Sequence, residues 1–419
     1  MTATQIDLTD PMLSKAPGRA FRELADKSRL TRASFPGVGE LLLVTGYDDV
    51  RFVLGDPRFV KDASNVPGLE VTSLRQKRLD HFGVPEEYQE YLLNVITNFD
   101  GADHARLRKL VTRAFTVRRL AELRPRVERL AEDLLDRLPD HAEDGVVDLL
   151  AHFAYPLPIN VICEMVGVPE SDREFWRQAS DALLQPNLGE KPGMMPFVDA
   201  VCGLVDASHE LINLRRAAPE DDLISVLVHA QEADGDRLSD KEMVALVFAL
   251  IFAGHETTAH LISSGTAALL SHPDQLALVK SDPDRIPRAV HEMLRWCAVV
   301  TIASVVYAKE DVPLGDEVIR KGEAVMPALT GANFDPARFP EAERFDITRE
   351  SSGPMETHVG FSHGPHYCLG AALARMEGDI AFRALLRKYP NVELGVPVAD
   401  LPLDAGFGTY RYAALPVRL

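Results

Sequence analysis

The stretch Phe361-Ser-His-Gly364-Pro-His366-Tyr-Cys368-Leu-Gly370 predicts more about the fold of this 419-residue chain than any other, because it places one cysteine between two glycines. Glycine adopts positive φ readily or admits a close neighbour, so Gly364 permits a tight turn and Gly370 a close approach. Apolar residues then recur at helical spacing, which predicts a helix over 368–388. A thiolate at a helix N-terminus is stabilised by unpaired N–H groups and by the helix dipole. The pattern therefore indicates that Cys368 is an anionic ligand.

This loop resembles the haem-binding loop of the cytochromes P-450, whose pattern is Phe, two residues, Gly, three residues, Cys, one residue and Gly. All four fixed positions match, and the last of them is Gly370. The resemblance implies that Cys368 binds the iron of haem b, that Phe361 packs near the sulfur and that His366 reaches a haem propionate. Thiolate ligation pushes electron density towards iron and favours O–O cleavage, so this class of haem implies oxygen activation.

Two other interpretations of the loop stay open. In one, Cys368 is a buried structural cysteine. In the other, it joins His358, His363 and His366 in a zinc cluster, since zinc takes thiolate and imidazole ligands.

A second motif, Ala253-Gly-His-Glu256-Thr257-Thr, lies inside the longest predicted helix, over 238–270. An acid beside an alcohol in an apolar helix is costly unless it is paired or hydrated, and threonine can bond to the i−4 carbonyl and bend the helix. The segment resembles the central helix over the distal haem face in the cytochromes P-450. The resemblance implies that Ala253 contacts the haem and that Glu256 and Thr257 relay protons during oxygen activation. The alternative for Thr257 is a plain helix-bending role.

The same segment superficially resembles a zinc-protease helix. That motif needs two histidines at i and i+4 on one face, whereas His255 and His260 are five residues apart. They therefore lie about 140° apart around the helix, and the spacing excludes this class of site.

Glu292 and Arg295 share one face of a helix predicted over 284–296. Such pairs are common on solvated helices, so the pair by itself indicates little. The resemblance assigns it to the structural core behind the haem, where a later arginine joins it, and Arg344 stands at the matching place. Three charged groups that satisfy one another can be buried together.

His104 and Arg108 are four residues apart in a helix predicted over 103–115, so they share a face. The resemblance places both on haem propionates, for which a guanidinium is well suited. A solvated basic face is the alternative. The family commonly has another propionate arginine where this chain has Val306, so one propionate anchor is expected to be missing.

The net charge of −18 argues against nucleic-acid binding. An acidic ferredoxin would nevertheless be steered to a basic region that, in the family, borders the face where electron donors dock. A basic face that balances neighbouring acids is an equally good interpretation. The region contains Arg106, Arg108, Lys109, Arg113, Arg118 and Arg119.

The resemblance extends from Val44 to Arg418 and implies a mainly α fold with small β-sheets, the triangular helical prism of the cytochromes P-450. We expect residues 1–419 to form a single large domain that encloses the haem, since no linker or repeat is obvious. Strands are predicted at 40–45 and 410–419. Further helices are predicted at 118–138, 147–167, 170–185 and 194–216.

The N-terminal residues have no charged start followed by an apolar segment, so neither a signal peptide nor a membrane anchor is expected. Four scattered cysteines do not suggest a disulfide scaffold. Cys163, Cys202 and Cys297 are interpreted as reduced core residues. These features predict a cytoplasmic protein that does not bind a membrane.

Together, the motifs imply a soluble bacterial-type haem-thiolate monooxygenase that inserts one atom of O2 into a C–H bond or an alkene. No flavin or iron–sulfur domain is expected, so ferredoxin and a reductase would supply two electrons as separate proteins. The alternatives are a peroxide-driven enzyme on the same fold and a non-catalytic haem domain that binds or recruits a partner. The intact pair of Glu256 and Thr257 argues against both.

A long segment between Phe59 and Asp103 is rich in apolar residues and by resemblance folds over the distal pocket. Long connections in compact domains are often functional lids. This one suggests a bulky apolar substrate such as a polyketide, macrolide, terpenoid or steroid. Positions that line the pocket in the family pattern carry apolar residues, and they are Leu93, Ala249, Val299, Val300, Ile302 and Phe407.

Overall fold

Helices dominate the computed structural model, which describes residues 6–35, 39–69, 74–112, 115–184, 195–233, 238–349, 356–404 and 408–419. The chain forms two compact units. The larger unit contains Met1–Val60, Leu120–Leu157 and Thr257–Leu419, and the smaller contains Lys61–Arg119 and Pro158–Glu256. The expectation of one domain stays a prediction.

The α-helices of the described residues are numbered in chain order. They are α1 Pro11–Lys15, α2 Pro17–Ala25, α3 Tyr47–Gly55, α4 Leu74–His81, α5 Glu86–Leu93, α6 Gly101–Thr112, α7 Val117–Arg137, α8 Pro156–Val166, α9 Arg173–Leu184, α10 Phe197–Ala217, α11 Leu223–Ala233, α12 Asp240–Ser271, α13 Pro273–Ser281, α14 Ile286–Trp296, α15 Leu329–Asn333 and α16 Ala371–Lys388.

The strands are short, and all those in the described residues belong to the larger unit. They are β1 Ile6–Asp7, β2 Leu30–Phe35, β3 Gly39–Val44, β4 Phe59–Val60, β5 Val146–Asp148, β6 Val306–Ala308, β7 Val312–Leu314, β8 Glu317–Ile319, β9 Ala324–Pro327, β10 Glu393–Leu394, β11 Leu403–Asp404, β12 Arg411–Tyr412 and β13 Pro416–Arg418.

The largest sheet has the strand order β1-β2-β3-β9-β6-β4. Strands β2 and β3 are antiparallel, whereas β3 and β9 are parallel, with Leu42 opposite Val325. The buried faces of these strands pack with α3 into one apolar core that includes Val44, Val50 and Val306. Val306 is therefore a core residue of β6, which explains why an apolar side chain suits that position.

The predicted helix over 147–167 is wrong at its start. Residues Val146–Asp148 instead form β5, which pairs with the C-terminal strand β13. A π-helical turn, Leu150–Ala154, follows before α8 begins at Pro156. The Asp148 carboxylate accepts the N–H of Leu150 at 3.0 Å and that of Leu415 at 2.9 Å, so this non-local strand pairing overrides the helical periodicity. The predicted terminal strand over 410–419 is likewise split, into β12 and β13.

Helix α12 begins with a reciprocal capping box. The backbone N–H of Ser239 donates to the Glu242 carboxylate at 2.7 Å, and the N–H of Glu242 donates to Ser239 Oγ at 3.2 Å. The helix is long and apolar enough to cross a membrane, but 67% of its most apolar window is buried inside the molecule, as in a core helix. Its chain passes from the smaller unit to the larger between Glu256 and Thr257.

In the larger unit, the C-terminal part of α12 packs closely against α14 and α16. A Cβ at Gly265 would lie 2.6 Å from Met293 Sδ and 2.7 Å from the Phe382 ring, so this crossing has room for glycine alone. A Cβ at Gly378 of α16 would be in ordinary or slightly tight contact with Val290 and Leu261. This packing fixes α16, and with it the loop that precedes α16.

Candidate active site

The cysteine loop is a tight, hydrogen-bonded structure. A 3-10 turn, Gly364–His366, comes first, and the N–H of Tyr367 donates to the Gly364 carbonyl at 3.0 Å. The N–H of Cys368 then donates to the Phe361 carbonyl at 2.9 Å. Helix α16 begins at Ala371, so Cys368 lies three residues before the helix and not within its first turn as predicted. The side chain of Cys368 is half-buried.

The two glycines of this loop differ in what they permit. Gly364 has φ +72°, and a Cβ there would lie 2.6 Å from the Leu54 carbonyl oxygen, so this turn needs glycine. At Gly370, apart from the adjacent residues, no described atom lies within 4 Å of the position that a Cβ would take. No other described part of the chain therefore fills the space beside Gly370.

The zinc cluster that the sequence left open as an alternative does not assemble. In the described part of the chain, the one group of three or more close metal-ligating side chains is His291, Glu356 and His358, without the cysteine. His358 Nδ1 accepts the N–H of Gly360 at 3.1 Å, and His358 Nε2 lies 3.2 Å from His291 Nδ1. Because Nδ1 of His358 is an acceptor, Nε2 carries the proton and donates it to His291. This geometry is a hydrogen-bonded histidine pair, and it does not favour zinc.

The middle of α12 carries a stripe of solvent-accessible residues in a helix that is otherwise mostly buried. Ala249, Ala253 and Thr257 follow one another at intervals of four, so they lie along one face, and none of them is buried. The adjacent carboxyl group of Glu256 is 5% exposed. A buried acid thus lies beside an accessible hydroxyl.

The buried ion pair of α14 is satisfied in full. Arg295 Nε and Nη2 donate to the Glu292 carboxylate at 2.8 and 2.7 Å. Its other N–H groups donate to the carbonyls of Asn333, Ala342 and Arg344, at 2.9, 2.8 and 3.1 Å. All five donors of the guanidinium are therefore used.

The prediction that the Arg344 side chain completes this network is wrong. Arg344 contributes its carbonyl, while its guanidinium points outwards to Glu341 at 3.4 Å. The third charge is Arg349, whose Nε donates to Glu292 at 3.0 Å. The chain turns back after Arg344, and only the side chain five residues later points inwards. No local pattern distinguishes the two arginines.

The two predicted propionate residues lie in the smaller unit, on α6. His104 is buried, and Arg108 is half-buried. Burial, followed by the charge of Arg108, lowers the pKa of His104. In the basic region, Arg106 pairs with Glu242, and Arg119 lies 3.7 Å from Asp221, so part of this region balances neighbouring acids.

The predicted substrate-lining residues lie in different surroundings. Leu93 at the end of α5 and Ala249 on α12 are half-buried residues of the smaller unit. In the larger unit, Val299 belongs to an apolar core, and Val300 and Ile302 are half-buried against such cores. Phe407 lies outside the described residues. Their role in lining a pocket stays a prediction.

The comparisons with known proteins agree with this geometry. A family model for cytochrome P-450 matches residues 204–394. 6-Deoxyerythronolide B hydroxylase of Saccharopolyspora erythraea is 39% identical over 404 residues, which are 96% of this chain and 95% of the relative. This chain belongs to the cytochrome P-450 family.

Solved cytochrome P-450 structures share the whole fold. PksS, from the bacillaene polyketide synthase of Bacillus subtilis 168, has a TM-score of 0.86 and 33% identity, covering 98% of this chain and 99% of that one. Cytochrome P-450 BioI, in complex with an acyl carrier protein ligated with hexadec-9Z-enoic acid, has a TM-score of 0.84 and 30% identity, covering 98% and 100%. The predicted mainly α cytochrome P-450 fold is confirmed, and the chain is a monooxygenase, an oxidoreductase.

The cofactor of cytochromes P-450 is a haem with thiolate-ligated iron. The described residues fit that group. A half-buried sulfur precedes a helix N-terminus, and open space lies beside Gly370. Cys163 and Cys297 are buried, and burial raises the pKa of the Cys163 thiol to about 12. Neither is suited to be a thiolate at neutral pH.

Proposed function

We propose that this cytochrome P-450 binds haem b through Cys368 and inserts one atom of O2 into a C–H bond or an alkene of a bulky apolar molecule. The cysteine loop carries the proposal, because it holds a half-buried sulfur before a helix beside open space at Gly370. A sulfur at that position gains from the N–H groups of the helix start. When bound, the haem supplies the oxygen chemistry.

The protein's own residues would bind the haem, orient the reacting groups and deliver protons. His104, Arg108 and His366 would hold the propionates, Phe361 would pack near the sulfur and Ala253 would contact the haem. The hydroxyl of Thr257 would hold a water on the accessible stripe. The buried carboxyl of Glu256 would resupply the proton through that water.

The substrate is proposed to be a polyketide or macrolide, with a terpenoid or steroid as the alternative. The named activity of the Saccharopolyspora relative and the polyketide pathway of PksS support the first class. The length of the predicted lid suggests a large ligand, and its described residues include two helices, α4 and α5. The complex of BioI suggests a related form of substrate, in which an acyl chain is attached to a carrier protein.

Electrons are proposed to come from ferredoxin and a separate reductase in the cytoplasm. A peroxide-driven enzyme would turn over with hydrogen peroxide alone. Comparison of product formed with peroxide and with ferredoxin, reductase and O2 separates these two functions.

The test of the proposed function is the spectrum of the reduced carbon monoxide complex. The purified protein should show the thiolate band that names the family, and Cys368→Ala should lose it. Cys297→Ala is the matched control, since this cysteine is buried in the core, and it should retain the band. A normal thiolate band in Cys368→Ala would refute the assignment.

A further inference from the structure

A charged pair lies directly behind the cysteine loop, in a group that we call the rear cluster: His291, Glu356, His358, Tyr367 and Arg375. Arg375 is on the second turn of α16, and its guanidinium forms an ion pair with Glu356. The two side chains are 31% and 20% exposed, so water screens this pair only in part.

Arg375 contacts two residues of the cysteine loop. Its Nη1 donates to the Tyr367 hydroxyl at 3.2 Å, and Tyr367 directly precedes Cys368. Its guanidinium carbon lies 5.4 Å from the centre of the Phe361 ring, in a cation–π contact. Phe361 is the residue whose carbonyl accepts the Cys368 N–H. Through these two contacts the charge of Arg375 lies against the cysteine loop.

The histidines of the rear cluster add no charge. Burial and then the nearby charge of Arg375 lower the pKa of His291 to about 4. Burial, followed by His291 and Arg375, lowers the pKa of His358 to about 3. At neutral pH both rings are uncharged. The formal charges of the rear cluster are thus one guanidinium and one carboxylate, and they balance.

We propose that the balance between Arg375 and Glu356 sets the reduction potential of the iron bound at Cys368. This inference rests on the haem ligation proposed above. Reduction adds one electron next to an anionic sulfur, so a nearby positive charge favours it and a nearby negative charge opposes it. Arg375 and Glu356 act through the cysteine loop, and neither is a catalytic residue.

Two single substitutions should move the potential in opposite directions. Arg375→Gln leaves the Glu356 carboxylate without its partner, so the potential should fall. Glu356→Gln leaves the guanidinium without its partner, so the potential should rise. We expect each shift to change the ratio of reduced to oxidised iron about tenfold at a fixed electrode potential, which is ~59 mV for one electron. The variant with both substitutions should return close to the parent value.

The measurement is a spectroelectrochemical titration of the haem-bound protein without substrate or electron donor. Arg383→Gln is the matched control, because Arg383 is on the same helix, is 33% exposed and pairs with Asp379 at 2.7 Å. This variant should keep the parent potential. Arg375→Lys keeps the positive charge, so its reduction potential should lie much closer to the parent value than that of Arg375→Gln.

If the pair had a merely structural role, both single variants would loosen the loop. Their reduction potentials would then move in the same direction, or both variants would lose the thiolate band. Either result overturns the inference, as do two unchanged potentials. The proposed function fails separately: it is refuted if the unsubstituted protein itself lacks the thiolate band.

Discussion

Thr257 is the hydroxyl proposed for proton relay, and it lies on the accessible stripe of α12 beside the buried Glu256. We expect Thr257→Ala to fold and bind haem, yet to form less product from the reduced nucleotide that it consumes. A misplaced proton releases hydrogen peroxide, so productive turnover should fall on the order of ten- to a thousandfold. The measurement is the ratio of product to nucleotide consumed, with ferredoxin and reductase in excess.

Thr258→Ala is the control for this experiment, because the neighbouring threonine is buried on another face of the helix. Its ratio of product to nucleotide should stay near that of the parent. Glu256→Gln should slow the whole cycle through poorer proton supply. An unchanged ratio in Thr257→Ala would leave this threonine as a helix-bending residue only.

Arg349 and Arg344 offer a second test at the scale of single residues. Arg349 donates to Glu292 and also to the carbonyls of Pro340, Glu341 and Arg344. Arg349→Ala removes one of the two guanidinium groups that pair with the buried Glu292 carboxylate, together with the side-chain donor to the Pro340 carbonyl, so the free energy of unfolding should fall by about 2–4 kcal/mol. Denaturant unfolding of the haem-bound protein measures this change.

Arg344→Ala removes an arginine from the same loop whose side chain is 57% exposed. It should change the free energy of unfolding by no more than about 0.5 kcal/mol. Equal losses in the two variants would contradict the assignment of the third charge to Arg349.

At the scale of elements, the predicted lid is a pair of short helices held by polar contacts within the smaller unit. The Tyr91 hydroxyl of α5 lies 3.0 Å from His209 Nε2 of α10. Lys241 of α12 pairs with Glu90 at 2.6 Å. In α5 Gln89 alone is buried, so few apolar contacts hold this helix and it is suited to open locally.

We expect hydrogen exchange over 74–93 to slow when a true substrate is added, because closure protects the backbone amides. Tyr91→Phe removes the hydroxyl that meets His209, and exchange in α5 of the substrate-free protein should become faster. Lys241→Gln is the control, since an exposed ion pair contributes little. Equal exchange with and without a substrate that changes the spin state would remove the lid hypothesis.

At the scale of the whole molecule, one buried acid links stability to pH. Glu377 of α16 is 1% exposed, and burial raises its pKa from 4.5 to about 8. The unfolded chain releases this proton near pH 4.5, whereas the folded chain keeps it to about pH 8. The stability that Glu377 contributes is therefore fully present below the unfolded pKa of 4.5, and it is lost as the pH rises towards the folded pKa of about 8.

Glu377→Gln cannot titrate, so the variant should gain stability relative to the parent between about pH 6 and pH 8, on the order of 2 kcal/mol. The measurement is denaturant unfolding at about pH 6 and about pH 8, the two ends of this interval. Glu393→Gln, at an exposed site, is the control and should leave the pH profile unchanged. If the free energies of unfolding of the parent and of Glu377→Gln changed in parallel with pH, Glu377 would not be buried as a neutral acid.

The sequence by itself determined the family, most of the helices and the residues proposed for the chemistry. The cysteine loop and the Glu256–Thr257 pair are short motifs, and their residues meet because they are neighbours in the chain. The spacing of Gly364 and Gly370 around Cys368 therefore predicted the tight turn of this loop directly. Helical periodicity likewise located α12 and α14, because their buried faces repeat along a single element.

Only the tertiary structure decided which distant groups meet. The path of the chain after Arg344 directs the Arg349 side chain to Glu292, and two arginines five residues apart have the same local appearance. His291 and His358 are 67 residues apart and pair because α14 packs beside the cysteine loop. Strand β5 replaced a predicted helical start because its partner, β13, lies at the other end of the chain. Such contacts depend on packing between elements, which no local pattern encodes.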